Sequence, residues 1–283
     1  MRFGARLHTA LGERGRMCVG IDPHPGLLAA WGLPDDVTGL ERFARDAVAV
    51  LGPLSPVLKP QAAFFERFGS AGVAVLARTL SDVRATGALA LLDAKRGDIG
   101  STSAAYADGL LDPASDLAGD AVTLSPYLGL GSLDPFVEAA RTHGAGLFVL
   151  ALTSNPEGAA VQHARGDDGR AVAVTVLDGL RELNRPELAD GAALGSFGAV
   201  VGATATLPAG ADAGVLDVGG PLLLPGVGAQ GAGVADVRRL VGAAARAALP
   251  TTSREVLAAG PDPEALADAC RAAQAQAAAL AEP

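Results

Sequence analysis

Leu91-Leu92-Asp93-Ala94-Lys95-Arg96-Gly97-Asp98-Ile99 joins an apolar run to four charges within six residues. The run from Ala88 to Leu92 predicts a buried strand, and its end carries charges that cannot be buried unpaired. Strand alternation puts Asp93 and Lys95 on one face, two residues apart. Asp98 follows in a predicted loop. A lysine held between two carboxylates keeps its proton, because opposite charges favour the charged form. Such a group suits proton donation and does not suit a nucleophilic amine. For this stretch alone a surface salt bridge at a strand end is the better reading. The rest of the chain tips the balance.

Outward from this stretch, short apolar runs alternate with helical patterns. Strands are predicted at Met17 to Ile21, Pro56 to Leu58, Ala88 to Leu92 and Ala121 to Leu124. Others follow at Gly146 to Leu152, Phe197 to Val201, Pro221 to Leu224 and, weakly because of Pro250, Leu249 to Thr252. Helical spacing is present over Leu40 to Leu51, Gly72 to Thr86, Leu133 to His143, Val172 to Asn184, Val234 to Ala248 and Pro263 to Leu280. Alternating strands and helices imply parallel pairing through crossovers. Eight such units in 283 residues predict an α/β chain folded as a (β/α)8 TIM barrel, whose typical size is ~250 residues. A doubly wound open sheet is the alternative. No linker divides the chain, so residues 1–283 are expected to form a single barrel domain with a loop insertion near 155–170.

The strand ends agree with one another. The first leads to Asp22, the second to Lys59, and the third to Asp93 and Lys95. The fourth ends at Thr123-Leu124-Ser125-Pro126 and the fifth at Thr153-Ser154-Asn155. In a barrel these ends form one face, where active sites sit.

Composition narrows the function. The chain is 49% hydrophobic and 19% charged, enough for a sizeable core. Glycine accounts for 37 of 283 residues, above the usual ~7%, as many βα turns would require. A net charge of −9 would repel a polyanion, which argues against nucleic-acid binding. Cys18 and Cys270 form no disulfide framework, and Cys18 reads as a small core residue. His8, His24, His143 and His163 form no ligand pattern, so no metal is expected. The N-terminus lacks a signal pattern and no run reaches the ~18 apolar residues of a membrane helix. A soluble, cytoplasmic protein with no membrane partner is expected.

Pro225-Gly226-Val227-Gly228-Ala229-Gln230-Gly231 follows the seventh strand, and Arg254 follows the eighth. Glycines let backbone N–H groups approach an anion, and arginine offers a fork of donors to phosphate. Loops after strands seven and eight are the usual phosphate site of this barrel. The same glycines match GxGxxG, but no acidic residue stands ~20 positions on, as a dinucleotide site requires. A plain glycine turn would be the reading without Arg254.

These pieces resemble the orotidine 5′-phosphate decarboxylase family, and within it the longer bacterial subgroup. The resemblance rests on Gly20-Ile21-Asp22-Pro23, Lys59-Pro60-Gln61 with Ala63-Phe64-Phe65-Glu66, and Asp93-Ala94-Lys95-Arg96-Gly97-Asp98-Ile99. Ser154-Asn155-Pro156, the Pro225 to Gly231 loop and Ser253-Arg254 extend it to the last strand. The chain departs at Ser253, where shorter members often have glycine.

The resemblance implies a homodimeric barrel that converts orotidine monophosphate to uridine monophosphate and CO2, with no cofactor and no metal. It implies that Asp22 and Lys59 contact the ribose hydroxyls, that Asp93 faces the substrate carboxylate, and that Lys95 protonates C6. Asp98, with Ile99 and Thr102, would reach across the dimer into the neighbouring site. Ser154 would bind the pyrimidine. Gln230 and Arg254 would hold the phosphate, with Pro225 to Gly228 lining its approach. A related sugar-phosphate decarboxylase shares the Asp-x-Lys-x-x-Asp piece but holds Mg2+ partly through a glutamate at the end of the second strand. Lys59 stands at that position here. A non-catalytic nucleotide-binding barrel is the reading from another class, and it has no need of a proton donor. Glu66 reads as a helix-face or dimer-contact residue, and Ala272 to Leu280 as a surface helix.

Overall fold

Successive residues of each apolar run pack into two separate cores. Cys18, Val57, Leu89, Leu91, Ala121 and Phe148 belong to one, while Val19, Leu58, Ala90, Leu92, Val122 and Leu147 belong to the other. That two-residue period is the signature of strands buried on both faces, one face inside a barrel and one beneath a helical shell. The computed structural model, which describes residues 1–227 and 233–280, has this architecture. Its strands are β1 (Cys18–Ile21), β2 (Val57–Pro60), β3 (Leu89–Arg96), β4 (Ala121–Leu124), β5 (Gly146–Leu152), β6 (Phe197–Val201), β7 (Leu222–Pro225) and β8 (Ala248–Thr252). All neighbours pair in parallel, and β8 returns to β1 through Cys18 opposite Thr251 and Val19 opposite Thr252, closing the barrel. Closure excludes the doubly wound alternative.

The helices are α1 (Phe3–Arg14), α2 (Pro25–Ala30), α3 (Val37–Leu51), α4 (Ala62–Glu66), α5 (Gly69–Ala85) and α6 (Gly100–Leu111). They continue with α7 (Asp134–His143), α8 (Ala159–Gln162), α9 (Val172–Ala189), α10 (Val234–Val241), α11 (Arg254–Leu257) and α12 (Pro263–Ala278). The shell is built from amphipathic stripes. In α3, for example, Leu40, Phe43, Ala44, Ala47, Val48 and Leu51 are buried at helical spacing, and Asp36 caps the start by accepting from the Gly39 N–H.

The N-terminal mouth of the barrel is shut by α1, whose Phe3 meets Phe148 edge-on at 6.0 Å. Burying a phenylalanine contributes about 1.5–3 kcal/mol, so α1 is part of the core. The opposite mouth stays open and carries the polar strand ends.

The structure departs from the sequence-based expectation in several elements. Helix α6 carries a weak apolar pattern, and neither it nor α1 is among the expected helices. The helix expected over Val234 to Ala248 is α10 followed by a 3-10 turn, Gly242–Ala247, because Gly242 adopts a left-handed backbone (φ 51°). The tail from Ala272 is a surface helix with one face packed down: Ala272, Ala275, Gln276 and Ala278 are exposed, while Ala273 and Ala277 are buried. Gln274 there accepts from the Met17 N–H at 2.8 Å and donates to the Met17 carbonyl at 3.1 Å. Pro250 sits within β8, opposite Leu224, and the strand is buried throughout.

The segment after β5 folds as a 3-10 turn (Pro156–Gly158), α8 and a bridge between Arg165 and Ala171. Arg165 donates to the Ala209 carbonyl at 2.8 Å and His163 Nε2 lies 3.2 Å from the Thr206 carbonyl, so this segment is fastened to the loop after β6.

Candidate active site

The inward phase of the strands continues upward from the core into charge. Val57 leads to Lys59, Leu91 to Asp93, Ala121 to Thr123 and Leu249 to Thr251, each two residues on. These side chains line a cavity of about 330 Å³ with Asp22, His24, Gln61, Phe64 and Lys95, over a floor of Leu150, Val200 and Leu223. Its far side is made by Pro225, Gly226, Val227, Thr252, Ser253 and Arg254. The volume lies in the ~300–1,000 Å³ range of small-molecule sites.

Asp93 is the hub. Its Oδ2 accepts from Lys59 Nζ at 2.7 Å and from Gln61 Nε2 at 3.0 Å. Its Oδ1 accepts from Lys95 Nζ at 2.6 Å and from Thr123 Oγ1 at 2.8 Å. Within one chain the expected cage is therefore inverted: two ammonium groups hold one carboxylate, and Asp98 is not part of the group. Burial pushes the Asp93 carboxyl up, but Lys59 and then Lys95 outweigh it and hold it below the usual carboxylate range. Burial pulls Lys59 down, and Asp93 and Asp22 outweigh that and hold it above an ordinary lysine. Cys18, beneath Lys59, is pushed up to about 12 by burial, so it is an inert core thiol.

Lys95 differs from Lys59 in exposure. Its side chain is 44% exposed, against 7% for Lys59, so it is the cation that faces the open mouth. Its backbone is left-handed (φ 49°), a conformation that costs an L-residue about 1–2 kcal/mol and persists only where its surroundings impose it.

Among the described residues, Asp22 Oδ1, His24 Nε2 and Thr252 Oγ1 are buried without a hydrogen-bond partner. Buried polar atoms are rarely left so, and all three belong to residues lining this cavity. The wall between the lysine group and Arg254 thus offers unused acceptors and donors. Gly226 (φ 98°) turns the chain after β7 beside that wall.

Of the residues singled out by sequence, Asp22, Lys59, Asp93, Lys95, Pro225 and Arg254 converge on the cavity. Gly228 and Gln230 lie outside the described residues. Asp98 (its Oδ1 accepting from the Ile99 N–H at 2.8 Å), Ile99, Thr102 and Ser154 do not line this chain's cavity. Ile99 is 61% exposed, and Thr102 and Ser154 are exposed. Glu66, at the end of α4, pairs with Arg96, and both side chains are part-exposed. Sequence reasoning gave no role to Gln61, Thr123, Thr251 and Thr252, and it set His24 aside as patternless. The first three follow the same two-residue phase that marks Lys59 and Asp93, which would have found them.

The comparisons point the same way. A protein from Nocardioides sp. named orotidine 5′-phosphate decarboxylase is 63% identical over 258 residues, covering 90% of this chain and 91% of its own length. One from Salinispora tropica with the same name is 60% identical over 278 residues, covering 96% of this chain and 98% of itself. A crystal structure from Streptomyces avermitilis superposes with a TM-score of 0.94 at 57% identity, covering 99% of this chain and 96% of that one. The structure of Leishmania donovani OMP decarboxylase superposes with a TM-score of 0.74 at 28% identity, covering 98% of this chain and 99% of that one. The profile of the orotidine 5′-phosphate decarboxylase / HUMPS family matches residues 15–270. With the closed barrel, a family profile that covers most of the chain and relatives of this similarity along nearly its whole length, the chain belongs to that family.

Proposed function

We propose that this protein decarboxylates orotidine 5′-monophosphate to uridine monophosphate and CO2, the closing step of pyrimidine nucleotide synthesis, as a cofactor-independent lyase. The observation that carries this reading is the pairing of Lys95 with Asp93 over an apolar floor, across one cavity from Arg254. The C6–carboxylate bond breaks and leaves its electron pair on a ring carbon with little resonance help. Lys95 stabilises that charge and then gives it a proton, forming the C6–H bond. Asp93, beside Lys95, suits a place facing the departing carboxylate. Because four donors already hold Asp93, its larger task is to fix both lysines. Asp22, with a free buried acceptor, and Lys59 suit the ribose hydroxyls. Arg254, with Pro225 to Gly228 and Gln230, suits the phosphate, and binding energy there can serve the distant reacting carbon. Ser154 is assigned to the pyrimidine.

The same proposal includes a homodimer working in the cytoplasm, each chain one barrel domain. Asp98, Ile99 and Thr102 lie off their own chain's cavity at the same barrel mouth, and a second subunit would receive them. The family's other branch, metal-dependent sugar-phosphate chemistry, is disfavoured by Lys59, whose ammonium stands at the end of β2 where a cation would have to bind. Among the described residues no cluster of carboxylates, histidines or cysteines could hold a metal.

The test is an absorbance assay of orotidine monophosphate loss with and without a chelator. Turnover unchanged by the chelator is expected. No turnover, or turnover abolished by chelation, would remove the reading.

A further inference from the structure

Lys95 is the one non-glycine residue with a positive φ among the described residues. The sheet is irregular at the same place. Strand β3 pairs with β4 at Leu91 opposite Ala121 and Leu92 opposite Val122, and next at Arg96 opposite Leu124. Four steps along β3 therefore match two along β4, and the surplus residues bulge around Lys95. A bulge removes ladder partners and re-aims the side chain it carries. The lost partner is replaced, as a part-buried backbone N–H without an acceptor would be costly.

Thr123 lies in β4 opposite this bulge and is 1% exposed. Its Oγ1 accepts from the Lys95 backbone N–H at 3.0 Å. The same hydroxyl donates its own hydrogen to Asp93 Oδ1 at 2.8 Å. That carboxylate oxygen also receives Lys95 Nζ, at 2.6 Å. One hydroxyl thus grips Lys95 at its backbone and, through Asp93, at its ammonium end. Its direction is fixed at both ends, since it can donate only one hydrogen. A threonine in a strand is also stiff about χ1, so the grip does not swing.

We propose that Thr123 is the positioning residue for the proton-donating lysine: it substitutes for the missing ladder partner and sets where Lys95 Nζ points. This rests on the reading of Lys95 as the donor and names what aims it. Valine has the same shape without the hydroxyl. In Thr123→Val the Lys95 N–H loses its acceptor and Asp93 Oδ1 loses a donor, while the cavity keeps its volume. A misplacement near 1 Å can cost ~100-fold in rate.

The experiment measures kcat, KM for orotidine monophosphate and uridine monophosphate affinity in wild type, Thr123→Val and Thr123→Ser, alongside thermal unfolding. The expected result is a kcat lowered about 10- to 100-fold in Thr123→Val. KM and product affinity should stay within about threefold, as an effect on positioning rather than binding implies. Thr123→Ser, which keeps the hydroxyl, should recover most of the rate. Should Thr123→Val not fold, Thr123→Cys, a weaker donor and acceptor without the γ-methyl, is compared with Thr123→Ser, whose shape it shares, and is read the same way. Wild-type kcat in a folded Val or Cys variant overturns the inference, as does a lower melting temperature with unchanged kcat. So does an equal loss in Thr123→Ser and Thr123→Val. Wild-type protein that fails to decarboxylate orotidine monophosphate sinks the functional reading, whereas an active wild type with an equally active Thr123→Val sinks only the role of Thr123.

Discussion

Lys59 Nζ lies 2.7 Å from Asp93 Oδ2, and both side chains are more than nine-tenths buried. Neither charge has bulk water to fall back on. Breaking such a pair by removing one partner typically costs about 3–5 kcal/mol, because the other charge stays buried. Here Lys95 is a second partner for Asp93, so removing Lys59 leaves the carboxylate compensated, whereas removing Asp93 leaves two ammonium groups facing each other. The hub is therefore more sensitive to loss of its acid than of its buried base.

The pair should show in the pH dependence of stability. Asp93 is held below its unfolded value of 3.8, so its contribution is present above that value and fades as pH falls through the lower folded one. Lys59 is held above 10.5, so its contribution is present below that value and fades as pH rises through the higher folded one. The difference in unfolding free energy between wild type and a Lys59→Met, Asp93→Asn double variant should be flat from about pH 5 to about pH 9.5 and fall off on either side. Denaturant titrations at stepped pH measure it, and a steep slope inside that window would contradict the assignment.

Lys95→Ala should lower decarboxylation at least ~1,000-fold, since it removes both the proton donor and the charge that stabilises the carbanion. Uridine monophosphate should still bind, because Arg254 and the ribose wall are untouched. Single-turnover kinetics and product-binding calorimetry separate the two. Ordinary turnover in this variant would eliminate Lys95 as donor.

Arg254→Ala should weaken uridine monophosphate binding by about 10- to 100-fold, the effect of about 1.5–3 kcal/mol for a hydrogen bond to a charged group. Affinity for uridine, which lacks the phosphate, should not change. Equal losses for both ligands would place the phosphate elsewhere.

Mixing inactive Asp98→Asn and Lys95→Ala chains should regenerate activity if each site borrows Asp98 from a second subunit. In a random mixture about a quarter of the wild-type sites is the ceiling, set by the chance that a site receives both intact residues. Native mass spectrometry would verify subunit exchange, and exchange without rescue would make each chain's site self-contained.

Much of this architecture is readable from local pattern. The runs at Ala121 to Leu124, Gly146 to Leu152 and Phe197 to Val201 coincide with β4, β5 and β6 because a strand buried on both faces is apolar without interruption. Helix α6 is hard to read because alanine, glycine and serine blur its apolar stripe, whereas α12 begins at Pro263 as its spacing predicts, and only its buried face is hidden, because an alanine-rich face buries as well as it solvates. At the site, Asp22, Lys59 and Arg254 stand out as charges at strand ends. Thr123 and Gln61 do not, because threonine and glutamine at a strand end look like ordinary loop entry.

The order of strands and helices, the inward phase of Lys59 and Asp93, and the presence of Lys95 two residues beyond Asp93 are local properties. They follow from a two-residue period that any extended chain obeys. Which charges meet is not local. Asp93 is shared with a lysine 34 residues away, and Lys95 bends left-handed onto a hydroxyl from the next strand. Those choices depend on the register between neighbouring strands, on a bulge that local pattern does not encode, and on burial deep enough for the charges to need one another. Only the closed barrel supplies all three.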